Sequence, residues 1–339
     1  MVLASSSVVA MAGSGGRVAR AAVRTAVRVG GRAALTALPH TGWRRGHPGA
    51  PSPVLPEAVS FVDARAEGLP PITVAYERSG AGEPVVLLHG LGLNRRTWDP
   101  VLPYLTGERE VIAIDLPGFG RSPDLPAGLS RDLPTTARLL EVVFTALGVA
   151  RPHVVGHSLG GLIALRLGQD DLVRGVTAIA PAGFWTESER RRAFTVLTAA
   201  RNIARTVPGV AVERLAATPA GRAVMAGMLY GDALRCPPGI VASCMRALHE
   251  ATGFEATLLA GRTPGLFTGP INGVPVTLVW GTADRLLPPR QAWRALATVP
   301  RARLVWVPGG GHMPMNDAPD LLAEVILRAT RPDAAASVA

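Results

Sequence analysis

The sequence has no lysine: all 35 basic side chains among its 339 residues are arginine. That removes Schiff-base and pyridoxal-type chemistry and any P-loop, each of which needs a lysine amine. Two cysteines are too few for a disulfide-stapled secreted scaffold, and no Cys/His grouping has zinc-ligand spacing. No stretch is apolar enough, over the roughly 18–20 residues required, to span a bilayer. Acidic residues are missing from positions 1–56, whose seven Arg supply +7 of the formal charge of +10. The other 28 Arg face 25 acids, so the body carries only +3. The high basicity is therefore a property of one end, and no nucleic-acid partner is expected.

What is present reads as a folded enzyme-sized chain. Hydrophobic residues make up 48% and charged ones 18%, a globular rather than a disordered composition. The 38 Gly and 30 Pro imply many turns. Within the first segment, Arg17, Arg20, Arg24, Arg28 and Arg32 recur at helical spacing and would share one helix face. One reading is a basic amphipathic stretch at residues 17–35 touching an anionic membrane surface, or an Arg-rich targeting peptide. The other, favoured here, is a mobile tail or an over-long start, because the opposite face is mostly Ala and Gly30-Gly31 interrupts the helix. Pro48, Pro51, Pro53 and Pro56 follow as a stiff linker. A cytoplasmic location, peripheral to a membrane at most, is the matching expectation.

Beyond this segment, short β-rich runs alternate with helical ones. Strands are expected at Ile72–Tyr76, Val85–Leu88, Glu110–Asp115, His153–Gly156, Val173–Ala180, Val274–Trp280 and Arg303–Val307. Helical spacing marks Thr135–Leu147, Gly160–Leu167 and about Pro319–Arg328. This alternation predicts an α/β fold, a mostly parallel central sheet flanked by helices. Residues 183–272 break the alternation with Ala/Leu/Arg-rich helical periodicity and are too long for a loop. The expected organisation is a segment and linker over 1–56, a core of 57–182 plus 273–331, a helical insertion at 183–272, and a disordered tail at 332–339.

The strongest chemical signal is Gly156-His157-Ser158-Leu159-Gly160, set between an apolar strand and a helix. It fits the G-x-S-x-G nucleophile elbow, a tight turn that holds a serine Oγ clear of the sheet; the bland alternative is an ordinary N-cap serine. A serine nucleophile needs a base, and the base an orienting acid. Of the seven His, His40 and His47 lie in the tail, His153 opens a strand and His249 sits in the insertion. His89 and His157 are expected to stabilise their own Gly-containing turns. His312 remains, in Gly309-Gly310-Gly311-His312 at the carboxyl end of the last strand, where α/β sheets place their sites. Asp284 follows another apolar strand and is the expected acid. Asp115 is the rival, although its Gly/Pro turn favours a backbone-capping role. The oxyanion formed on acyl attack needs donors, assigned to the N–H of Leu159 and of Leu91, with Gly90 or Gly92 as alternatives to the latter.

The ordered set His89-Gly-Leu-Gly, Asp115-Leu-Pro-Gly-Phe-Gly-Arg-Ser, Gly-His-Ser158-Leu-Gly-Gly, Gly-Thr-Ala-Asp284-Arg and Gly-Gly-His312 closely resembles the α/β-hydrolase fold superfamily, over about residues 60–330. The resemblance implies Ser158 as nucleophile, Asp284 as acid and His312 as base, in the chain order Ser, Asp, His. It also implies that 183–272 form a cap domain shaping the pocket. The Ser at the elbow departs from the branches that use an Asp nucleophile. Leu91-Gly92-Leu93-Asn94 departs from the Gly-Pro-Gly extension usual in C–C bond hydrolases. The expected activity is a serine esterase, cleaving an ester, thioester or lactone of a small apolar substrate without metal or cofactor. The alternatives are a small-molecule receptor on the same fold and a cofactor-free perhydrolase or acyltransferase. Cys236 and Cys244 are expected as free thiols, with a bridge between them as the alternative.

Overall fold

A computed structural model describes residues 59–263 and 265–331. The readings made of residues 1–56 and 332–339 fall outside the described residues. Among the described residues the eight strands are β1 (Ser60–Ala66), β2 (Leu69–Ser79), β3 (Pro84–Leu88), β4 (Glu110–Ile114), β5 (His153–His157), β6 (Gly175–Ile179), β7 (Val276–Gly281) and β8 (Arg303–Val307). They form one sheet in the order β1-β2-β4-β3-β5-β6-β7-β8. β1 and β2 pair antiparallel, β2 lies antiparallel to β4, and the five remaining pairings are parallel.

The helices are α1 (Leu102–Leu105), α2 (Leu133–Ala146), α3 (Leu159–Gln169), α4 (Glu187–Thr206), α5 (Gly209–Ala217), α6 (Pro219–Ala226), α7 (Pro238–Glu250), α8 (Phe254–Ala260), α9 (Arg290–Thr298), α10 (Pro314–Asp317) and α11 (Pro319–Ala329). α2 packs with α3, and α1 with α11, while β6 meets both α3 and α11. Every residue of β5 and β6 is buried, as parallel strands covered on two faces require. That explains their unbroken apolar runs.

The differences from the sequence reading lie mainly at element ends. β6 stops at Ile179 because Ala180 takes φ +41°, outside the extended region of a ladder residue. β2 extends three residues beyond the expected Ile72–Tyr76 at each end. Its antiparallel partner β1 was not read as a separate strand, because its exposed edge position leaves most of its side chains outside the core.

Between β6 and β7 the chain builds α4 to α8. α4 starts at a capping box in which the Thr186 hydroxyl accepts from Glu189 N–H and the Glu189 carboxylate accepts from Thr186 N–H, satisfying two orphan donors at once. The same carboxylate takes Arg290 and Arg294 of α9. At the other end of the insertion, Gly253 N–H donates to Gly118 O at 2.9 Å. The insertion is thereby tied to the loops at the carboxyl ends of the parallel strands.

Candidate active site

The turn from β5 to α3 is fixed by close approach of backbone to backbone. A Cβ on Gly156 would lie 2.0 Å from Gly160 O, and one on Gly160 would lie 2.3 Å from Leu88 O. Between them Ser158 adopts φ +53°, ψ −109°, a conformation L-residues rarely take and one that persists only where the surroundings impose it. Here Ser158 N–H donates to Ile179 O at 2.9 Å, and Ser158 O accepts from Leu162 and Ala182. The Ser158 side chain makes no capping hydrogen bond, and its backbone is not the extended one of an N-cap. The hydroxyl is free for other work and stands in a cavity of about 60 Å³ lined also by Leu91 and Leu159.

His312 and Asp284, 28 positions apart, meet in the fold. His312 Nδ1 and Asp284 Oδ2 are 2.8 Å apart, and both residues are buried. The other carboxylate oxygen, Oδ1, accepts from Leu286 N–H at 2.9 Å and Leu287 N–H at 2.8 Å. A carboxylate only accepts, so Nδ1 carries a proton, and in the neutral imidazole the free lone pair is then at Nε2. Among the described contacts Ser158 Oγ has no direct hydrogen bond to His312. The two are linked through His157, whose Nε2–H donates to His312 O at 2.8 Å and whose ring lies 4.7 Å from that of His312.

This link corrects the expectation for His157: its bond leaves its own turn and reaches 155 residues along the chain, because the elbow after β5 and the glycine loop after β8 both lie at the carboxyl ends of parallel strands, with β6 and β7 between them. Burial and the nearby His312 hold His157 well below the ordinary histidine range, so its ring is neutral. His89 does stabilise its turn, its Nδ1 donating to Gly90 O at 2.8 Å, and its Nε2 also accepts from Leu116 N–H at 3.0 Å.

The rival acid is engaged elsewhere. Asp115 accepts from Arg95 N–H at 2.6 Å, from the Arg95 guanidinium at 3.0 Å and from Arg121 N–H at 2.9 Å. It is a turn-organising ion pair. Gly90 lies against the elbow, since a Cβ there would be 3.3 Å from Ser158 Cβ. The N–H groups of Leu91 and Leu159 have no backbone acceptor among the described residues. Asp317, which the sequence reading passed over, accepts from Gly311 N–H at 2.7 Å and Gly231 N–H at 3.1 Å. It thus fixes the histidine loop and the insertion together. No sequence signal marks it, because both donors are backbone groups, one of them, Gly231, 86 positions away.

Cys236 and Cys244 are free. Burial pushes the Cys236 thiol up to about 12, far from the range of a reactive thiolate. Among the described residues no group of three or more His, Cys, Asp or Glu could hold a metal ion, and no helix is long and apolar enough to cross a membrane.

Residues 85–325 match the model of the alpha/beta hydrolase family. An uncharacterised protein of Mycobacterium tuberculosis is 27% identical over 267 residues, covering 75% of this chain and 77% of that protein. A protein of Pseudomonas savastanoi carrying the provisional name carbamate hydrolase RutD is 30% identical over 239 residues, covering 67% of this chain and 86% of its own. Among solved structures, an esterase from Thermogutta terrifontis superposes with a TM-score of 0.60 at 22% identity, over 80% of this chain and 97% of that one. The chain belongs to the alpha/beta hydrolase family.

Proposed function

We propose that this alpha/beta hydrolase is a serine hydrolase that cleaves an ester or related acyl bond through an acyl-enzyme. The observation that carries the reading is the strained Ser158, φ +53°, lining an apolar cavity, with the Asp284–His312 pair, joined at 2.8 Å, tied to the same elbow by the His157–His312 hydrogen bond. His312 Nε2 takes the Ser158 hydroxyl proton as Oγ attacks the acyl carbon. The resulting oxyanion is received by the N–H groups of Leu91 and Leu159, the latter opening α3 with its positive dipole end. Collapse breaks the acyl–oxygen bond, and His312 returns the proton to the departing alcohol. Water, deprotonated by the same imidazole, then cleaves the acyl-serine. Asp284 holds the imidazole in the tautomer that accepts at Nε2 and stabilises the imidazolium. The relative named as a carbamate hydrolase supports attack at an acyl carbon. The insertion acts as the cap that shapes the substrate pocket.

An organophosphonate probe, which imitates the tetrahedral intermediate, tests this directly. The expected result is one adduct per chain, mapped by peptide mass to Ser158 and absent from Ser158→Ala. No adduct on folded protein, or an adduct elsewhere, overturns the reading.

A further inference from the structure

Two cavities meet beside Ser158. The front one, about 60 Å³, contains the serine. The rear one, about 170 Å³, lies between α8 above and α2 and α3 below. Leu159, Leu162, Thr257, Gly261 and Leu266 line both, so one wall of four small or apolar groups and a threonine is all that divides them. We infer that the two form a single channel for a linear hydrocarbon chain, making the substrates esters or thioesters of aliphatic acids too long for the front chamber alone. This rests on the serine-hydrolase reading and extends it to the acyl group.

The chemistry of the rear chamber selects a hydrocarbon. Beyond the shared wall it is lined by Leu125, Leu139, Leu140 and Val143, and a chain here gains by leaving water. Its two charged residues are both committed. The Arg131 guanidinium donates to Pro117 O at 2.9 Å and to Thr257 Oγ1 at 3.3 Å, and pairs with Asp124. Asp132 caps α2 by accepting from Thr135 N–H at 2.7 Å. Neither offers a free charge to an acidic or basic ligand. Arg131 instead braces α8 as a roof, together with the Gly253–Gly118 bond.

Gly261 keeps the passage open. Its φ of −66° and ψ of −6° are helical values any residue adopts, so its backbone does not require glycine. A Cβ there would lie 3.3 Å from Phe194 Cζ, on the front-chamber side. What the glycine contributes is space.

The test is the chain-length profile of kcat/KM on p-nitrophenyl acetate, butyrate, octanoate and dodecanoate. Each methylene buried in the channel should raise wild-type kcat/KM by about threefold to fourfold. Gly261→Leu should lower the octanoate-to-acetate ratio at least tenfold. Leu125→Trp, in the rear chamber, should lower dodecanoate relative to octanoate. Leu259→Ser, on the exposed side of α8, should keep the wild-type profile. A wild-type profile that is flat or falls beyond acetate, or a Gly261→Leu loss equal for every ester, overturns the channel. Calorimetric binding of dodecanoate to Ser158→Ala, weakened at least tenfold by adding Gly261→Leu, separates the two readings. If no ester shows Ser158-dependent turnover while this binding persists, the hydrolase reading fails and the channel stands. Ser158-dependent turnover without such binding sinks the channel alone.

Discussion

Replacing Asp284 with Asn tests the site through a single atom. In the native arrangement Oδ1 faces two backbone donors, Leu286 and Leu287, while Oδ2 faces His312 Nδ1. An amide has only one acceptor oxygen. Placing its NH₂ against two fixed N–H groups would set donor against donor, so the amide oxygen stays on the Leu286–Leu287 side. The NH₂ then faces Nδ1, which must become the acceptor, and the imidazole proton moves to Nε2. A protonated Nε2 cannot take the Ser158 proton. The expected loss is on the order of 10⁴-fold in kcat, the scale of this substitution in the Ser-His-Asp template. Because both N–H bonds survive, the cost in stability is only about 1 kcal/mol. Asp115→Asn should behave in the opposite way. It leaves the Arg95 guanidinium, 2% exposed, without its closest carboxylate, which costs about 3–5 kcal/mol when a buried pair is broken. The assay pairs kcat on p-nitrophenyl acetate with urea unfolding of each variant. Folded Asp284→Asn retaining more than a tenth of wild-type kcat, with Asp115→Asn stable but inactive, would refute the reasoning.

Three further outcomes are expected. His89, His153 and His157 are all held below the ordinary range chiefly by burial, His153 to about 3. For His153, between about 3 and about 6.5 the unfolded chain binds a proton that the fold refuses, so stability falls as pH drops through this window, and His89 and His157 act in the same direction. Each such group contributes up to about 1.4 kcal/mol per pH unit; urea titrations at pH 7, 6 and 5 should show the loss, and an unchanged slope in folded His153→Asn contradicts it. Gly160→Ala places a Cβ against the backbone oxygens of Leu88 and His89 and should destabilise by at least about 1–3 kcal/mol, whereas Gly107→Ala, with open space around it, should leave the melting temperature within about 1 °C of wild type. Hydrolysis should be indifferent to EDTA and to added divalent ions, and activity abolished by chelation and restored by metal would exclude the proposed acid–base mechanism.

The interior strands were legible because burial on both faces leaves an uninterrupted apolar run, as in Val85–Leu88, each 0% exposed. β1 was not, since an edge strand with one solvent face carries Ser60, Phe61 and Asp63 and lacks that pattern. The insertion was legible as helical from its periodicity, although the five separate helices were not. Pro208, Pro219 and Pro238 punctuate it, yet a proline marks a break without saying how the pieces pack.

The site divides along the same physical line. Ser158, Asp284 and His312 could be singled out as candidates because each sits in a local pattern of glycines and apolar strand ends, and local sterics write such patterns into adjacent residues. The glycines of the elbow are a direct record of backbone oxygens 2.0 and 2.3 Å from where a side chain would begin. What sets the substrate has no such record. Thr257 and Gly261 of the insertion meet Leu159 and Leu162 of the core about a hundred positions apart, and Gly261 occupies an ordinary helical conformation. A glycine retained for space alone looks, in sequence, like any loop residue. On the proposed reading, specificity is carried by long-range packing between insertion and core, and changing side chains along that seam should alter which acyl group is accepted while the elbow and the Asp284–His312 pair stay as they are.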